Sequence, residues 1–104
     1  LLSWDLAPDG TLSNRRVVIE LPTPTLDGIM FEEAGRLWIA RWTSGTVDVV
    51  DVEKGALLRS YPAGGDQVTN LCWWGTDLYV TVAGQHSIHR LEVGVRGAEI
   101  IPKR

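Results

Sequence analysis

Leu37-Trp38-Ile39-Ala40, followed past a turn by Val47-Asp48-Val49-Val50-Asp51-Val52, returns further along the chain as Leu78-Tyr79-Val80-Thr81 followed by Ile88-His89-Arg90-Leu91-Glu92-Val93. The chain reads as a repeat. A period of about 40–45 residues holding four short apolar segments suggests the blades of a β-propeller, because one small sheet cannot bury both faces and has to stack on copies of itself. Leu37 to Ala40 is apolar at every position. That pattern belongs to a strand sandwiched between two neighbouring sheets rather than one with a wet face.

Working outward, the middle unit predicts a four-stranded meander: Gly28 to Phe31, Arg36 to Arg41, Thr46 to Val52 and Ala56 to Tyr61, with turns at Glu32-Glu33-Ala34-Gly35, Thr43-Ser44-Gly45 and Glu53-Lys54-Gly55. Period-2 or short apolar runs bounded by Gly, Pro, Asp and Thr are strand signals, and no stretch keeps the spacing of an amphipathic helix. The next unit predicts strands at Thr69 to Trp73, Leu78 to Val82, Ser87 to Val93 and Ala98 to Ile101. Ahead of the middle unit, Leu2 to Leu6 matches a third strand, with Asp5 aligned on Asp51, and Asn14 to Leu21 matches a fourth. The expectation is all-β: one partial propeller domain made of a half blade at 1–24, a blade at 25–65 and a blade at 66–104, open or completed by self-association. Trp38, Trp42, Trp73 and Trp74 are expected to fill the layers between blades, a packing role preferred over a sugar-stacking or base-stacking platform.

With 44% hydrophobic and 22% charged residues the composition is that of an ordered globular chain. The net charge of −3 offers no attraction to phosphate backbones or anionic lipid, so neither nucleic acid nor membrane is expected as a partner. No apolar run approaches the ~18–20 residues of a membrane span. The chain does not begin with Met, so residues ahead of Leu1 are anticipated. The lone Cys72, between Leu71 and Trp73, reads as a buried small apolar residue. It leaves the compartment open, with a lean toward a reducing, cytoplasmic one.

The ordered run Trp4-Asp5-Leu6-Ala7-Pro8-Asp9-Gly10-Thr11-Leu12-Ser13-Asn14-Arg15-Arg16, then Leu26-Asp27-Gly28-Ile29, Gly35-Arg36-Leu37-Trp38-Ile39-Ala40, Gly45-Thr46-Val47, Val68-Thr69-Asn70-Leu71 and Leu78-Tyr79-Val80-Thr81 resembles the later blades of the senescence marker protein/gluconolactonase/luciferin-regenerating enzyme family, which includes regucalcin. The resemblance implies a six-bladed propeller of roughly 270–300 residues at this repeat length. It also implies a divalent metal, calcium foremost, in the central channel, and hydrolysis of a sugar lactone or related ester. In that family the Asp of a Pro-Asp-Gly motif ligates the metal and is placed for proton transfer; the matching residue is Asp27, with Leu26 in place of the Pro. The family's other ligands and substrate-holding residues come from earlier blades and carry over to no residue here.

By its own chemistry Asp27 has two readings, a carboxylate aimed at a channel where a hard cation collects oxygens, or a strand-opening Asx turn. Thr69-Asn70 aligns one blade on from Asp27-Gly28, which makes both residues candidate substrate contacts. His86 and His89, three apart on an extended segment, face opposite ways and do not converge on a metal; both read as surface or turn residues. Glu32-Glu33 reads as a solvated turn pair. No Gly-x-Ser-x-Gly elbow or phosphate loop is present. The sequence therefore predicts part of a metal-dependent lactonase-type hydrolase, inactive by itself because most of its constellation is not encoded. The competing prediction is a small non-catalytic module that closes its blade faces by homo-oligomerisation and acts as a scaffold or binder.

Overall fold

The computed structural model describes residues 1–100. It consists of three antiparallel sheets, each a meander in chain order. The first pairs β1 (Leu2–Leu6) with β2 (Leu12–Val17); the second runs β3 (Leu26–Phe31), β4 (Leu37–Arg41), β5 (Thr46–Asp51), β6 (Ala56–Pro62); the third runs β7 (Val68–Trp74), β8 (Asp77–Val82), β9 (Ser87–Glu92). A 3₁₀ turn at Ala83–Gln85 is the one helical element among the described residues. The sheets stack without closing, and the chain spans 41 × 39 × 22 Å.

Five of the hairpin turns fall where glycine takes positive φ, at Gly10, Gly35, Gly45, Gly55 and Gly75, while the turn between β8 and β9 uses His86 at φ +51°. Gly45 (φ +70°), between β4 and β5, also has a Cβ position only 2.7 Å from the carbonyl oxygen of Gly65, so a side chain there would push away the segment linking β6 to β7. The core is two apolar layers on either side of the second sheet. Trp38, Ala40, Val47 and Val49 meet Val68, Leu71, Leu78, Val80 and Val82 of the third sheet. On the opposite face Leu37, Ile39 and Val50 are covered by Leu1, Ile19, Leu21 and Leu26. Every residue of β4 is buried, as the all-apolar run predicts. Trp38 stacks on Tyr61 at 5.2 Å and meets Trp73 edge-on at 5.3 Å; burial of one such ring contributes a few kcal/mol.

Several expectations need correction. The fourth strand predicted from Ala98 does not join the third sheet: Gly97 bridges Glu32 and the Ala98 N–H donates to the Phe31 carbonyl, so this segment lies along the end of β3 instead, and Ile101 lies outside the described residues. β2 begins at Leu12 and ends at Val17, earlier at both ends than predicted. Trp42 and Trp74 are 36% and 80% exposed and fill no layer between sheets. Cys72 is exposed, because alternation along β7 turns Leu71 inward and its neighbour outward. Glu32 is 2% exposed, not solvated; its Oε2 accepts a 2.7 Å hydrogen bond from the Trp38 indole. His89 is half-buried against Gly64 rather than a surface residue, while His86 does sit in a turn.

Candidate functional site

Two strands, β3 and β7, begin the second and third sheets and lie side by side. Each is preceded by a non-glycine residue in the left-handed region, Thr25 at φ +69° and Gln67 at φ +59°. Each then opens with a break in register: on β3 between Leu26 and Ile29, on β7 between Val68 and Asn70. Asp27 and Thr69 therefore fall in the irregular openings of neighbouring strands, where a bulge releases a residue from the ladder and re-aims its side chain. Asp27 is exposed.

Asn70 comes directly against Asp27's neighbour. A Cβ on Gly28 would stand 2.3 Å from Asn70 Oδ1 and 3.0 Å from Asn70 Cα, so glycine is what lets the two strands approach here. The Asn70 amide oxygen accepts from the Leu71 N–H at 2.9 Å, which fixes the side chain in this position. Thr69 is half-buried and its hydroxyl is engaged with that of Thr81 at 2.6 Å, across to β8. The structure thus brings Gly28 and Asn70 together with Asp27 exposed beside Gly28 in the chain, and gives the Thr69 hydroxyl a partner inside its own sheet.

A divalent cation of the calcium type takes about six to eight oxygens. Among the described residues no group of three or more His, Cys, Asp or Glu converges. Asp27 with its neighbours therefore does not make a metal site by itself.

Sequence reasoning passed over a second polar assembly next to Asp27. Arg41 and Asp48 form an ion pair that is almost wholly buried. The Arg41 guanidinium also donates to the Thr23 carbonyl and, at 2.6 Å, to the Thr23 hydroxyl. Asp48 Oδ1 accepts from Thr46 Oγ1 at 2.9 Å and Ser60 Oγ at 2.7 Å. The only signal in the sequence is a charge interrupting each of two otherwise apolar strands, Leu37-Trp38-Ile39-Ala40-Arg41 and Val47-Asp48-Val49-Val50.

Comparison with known proteins follows the same outline. The family model described as SMP-30/Gluconolactonase/LRE-like region matches residues 1–84. Regucalcin of Danio rerio is 34% identical over 79 residues, 71% of this chain and 27% of the relative. Pentonolactonase XacC of Haloferax volcanii is 39% identical over 80 residues, 72% of this chain and 27% of that protein. Among solved structures a luciferin-regenerating enzyme superposes with a TM-score of 0.81 at 24% identity, over 93% of this chain and 39% of that one. The chain therefore spans little more than a quarter of these two relatives, and the shared fold is the β-propeller.

Proposed function

This chain belongs to the SMP-30/gluconolactonase/LRE-like family, and from that membership we propose that it forms the Asp27-bearing arc of a propeller that hydrolyses a lactone of a sugar acid or a similar cyclic ester. The observation that supports the reading is the close approach of Gly28, next to Asp27, to Asn70 at the bulged openings of two adjacent strands. A pentonolactonase among the relatives supports the substrate class.

In this reading the exposed Asp27 carboxylate takes a proton from the water that adds to the lactone carbonyl carbon. The ring C–O bond breaks as the tetrahedral adduct collapses, the departing alkoxide regains a proton, and the product is the open hydroxy acid. General-base assistance of this kind contributes about 10²–10⁴-fold. Asn70, held by Leu71 and set against Gly28, offers an amide to a substrate hydroxyl, and Thr69 keeps the opening of β7 in place through Thr81. A divalent cation at Asp27, calcium by family likeness, requires its remaining oxygens from blades outside this chain. Reaction in the 104-residue chain by itself is correspondingly absent, since catalysis needs the reacting groups in one preorganised geometry.

The test is Asp27→Asn in a propeller completed by the missing blades. Hydrolysis of sugar lactones should fall by about 10²-fold or more with the fold unchanged; undiminished turnover removes Asp27 from the mechanism.

One observation favours a second reading. Large apolar side chains stay exposed, Ile29 and Phe31 in the cleft between the first and second sheets and Trp74 and Ile88 on the third sheet. A non-catalytic module that covers these faces with copies of itself, a scaffold or binder, would be recognised by a discrete assembly of two or three chains and no lactone turnover.

A further inference from the structure

The buried Arg41–Asp48 pair stands out because the fold repeats its position without it. Arg41 ends β4 and pairs in register with Leu26 at the opening of β3; Val82 ends β8 and pairs with Val68 at the opening of β7. Val82 is fully buried and apolar, and among the described residues the third sheet packs on its neighbour with no ion pair at that place. Sheet packing therefore does not demand a guanidinium at Arg41. Nor does stability, since a buried ion pair loses hydration and is commonly no better than an apolar pair of the same shape.

What differs is the segment each position faces. Before β7, Gln67 is held in its left-handed conformation by backbone bonds, its N–H to the Trp42 carbonyl and its carbonyl from the Ala83 N–H, both at 2.8 Å. Before β3, the described hydrogen bonds come instead from the Arg41 side chain, which grips both oxygens of Thr23. Two residues later Thr25 holds φ +69°. That conformation is costly for a β-branched residue and persists only where the surroundings enforce it. Two residues further stands Asp27. Asp48, with Thr46 and Ser60 behind it, fixes the guanidinium that does the gripping.

We infer that Arg41, oriented by Asp48, is a positioning residue: it clamps Thr23 so that the strained Thr25 turn delivers Asp27 to the site. The inference rests on Asp27 being the functional carboxylate proposed above. Its reach is local, and the sheet itself should tolerate its loss.

The test uses the 104-residue chain carrying Arg41→Met with Asp48→Asn, which removes both charges and keeps an acceptor for Thr46 and Ser60. Amide exchange is followed by NMR at Leu26 to Gly28 and, as internal reference, at Leu37 to Ala40 and Val47 to Val50. The clamp predicts about a tenfold faster exchange at Leu26 to Gly28 with the reference amides unchanged. It also predicts rescue by Thr25→Gly in the same background, because glycine adopts the turn without a clamp; a pair that only held the fold would not be rescued by a residue it does not touch. Unchanged exchange at Leu26 to Gly28, or a rise spread equally over β4 and β5, overturns the inference. Should the double variant not fold, Thr23→Val leaves the buried pair whole and should still raise exchange at Leu26 to Gly28 alone; no change there is equally fatal. A separate failure, Asp27→Asn leaving lactone hydrolysis intact, overturns the functional reading while the clamp stands.

Discussion

At the residue scale, buried or paired polar side chains decide the local outcomes. Glu32 was expected in water from its place in a turn, yet it is buried and accepts a hydrogen bond from the Trp38 indole N–H. Replacing it with Ala strands a buried donor, a cost of about 1–3 kcal/mol, whereas Glu33→Ala next door should stay within roughly ±0.5 kcal/mol; urea denaturation of the two variants separates them. Asp5 gives a pH prediction. Hydrogen bonds from Arg16 and then Asn14, with the Arg16 charge added, hold its carboxyl below the ordinary 3.8. A depressed carboxyl contributes stability that is present above that ordinary value and drains away as pH falls through the lowered one. The ¹³C titration midpoint of the Asp5 carboxyl should therefore lie below 3.8 and climb toward it in Arg16→Met. Asp27 was singled out through the family resemblance, and Asn70 through its alignment one repeat on from Gly28. The sequence hid the contact between Gly28 and Asn70, because a glycine's emptiness says nothing about what fills it.

At the element scale, strands were legible where apolar residues ran unbroken. Leu37 to Ala40 has no polar face, and β4 has none exposed. The predictable consequence is cost: Ile39→Ala opens a cavity in a layer packed from both sides and should lose about 2–5 kcal/mol. Leu58→Ala on the outer strand β6, half exposed, should cost less than about 1 kcal/mol by the area it removes, and chemical denaturation of both variants checks the ratio. Alternation misled where one residue had to be assigned a side: Cys72 and Trp74 turn outward on β7 while Leu71 and Val68 turn inward. The strand predicted from Ala98 failed for a different reason. Strand propensity marks a segment as extended, but the partner is chosen by hydrogen bonds, and here the Phe31 carbonyl, the Glu33 N–H and Glu32 at the end of β3 take it.

At the scale of the whole molecule, three stacked sheets leave two apolar faces without a cover. Between the first and second sheets lies a cleft of about 980 Å³ lined by Leu2, Trp4, Leu12, Ile29 and Phe31 among others. On the third sheet Ile88 is 69% exposed and Trp74 80%, and β9 presents an unpaired edge among the described residues. Open strand edges and broad apolar faces in water favour association. A chain of 11.5 kDa should then show, by light scattering coupled to size exclusion, a mass that rises across a tenfold concentration range. Ile88→Lys with Trp74→Lys should return it toward the monomer, because each charge must be desolvated to bury that face. Ile29→Lys should do the same if a second copy fills the cleft between the first and second sheets. If only one site responds, association runs through that surface alone; if both respond, the cleft of one copy takes up the third sheet of the next. A discrete mass of two or three chains would mark ring closure, and Asp27 would then occur once per copy around a common axis, where lactone turnover and metal binding become worth measuring on the assembly itself.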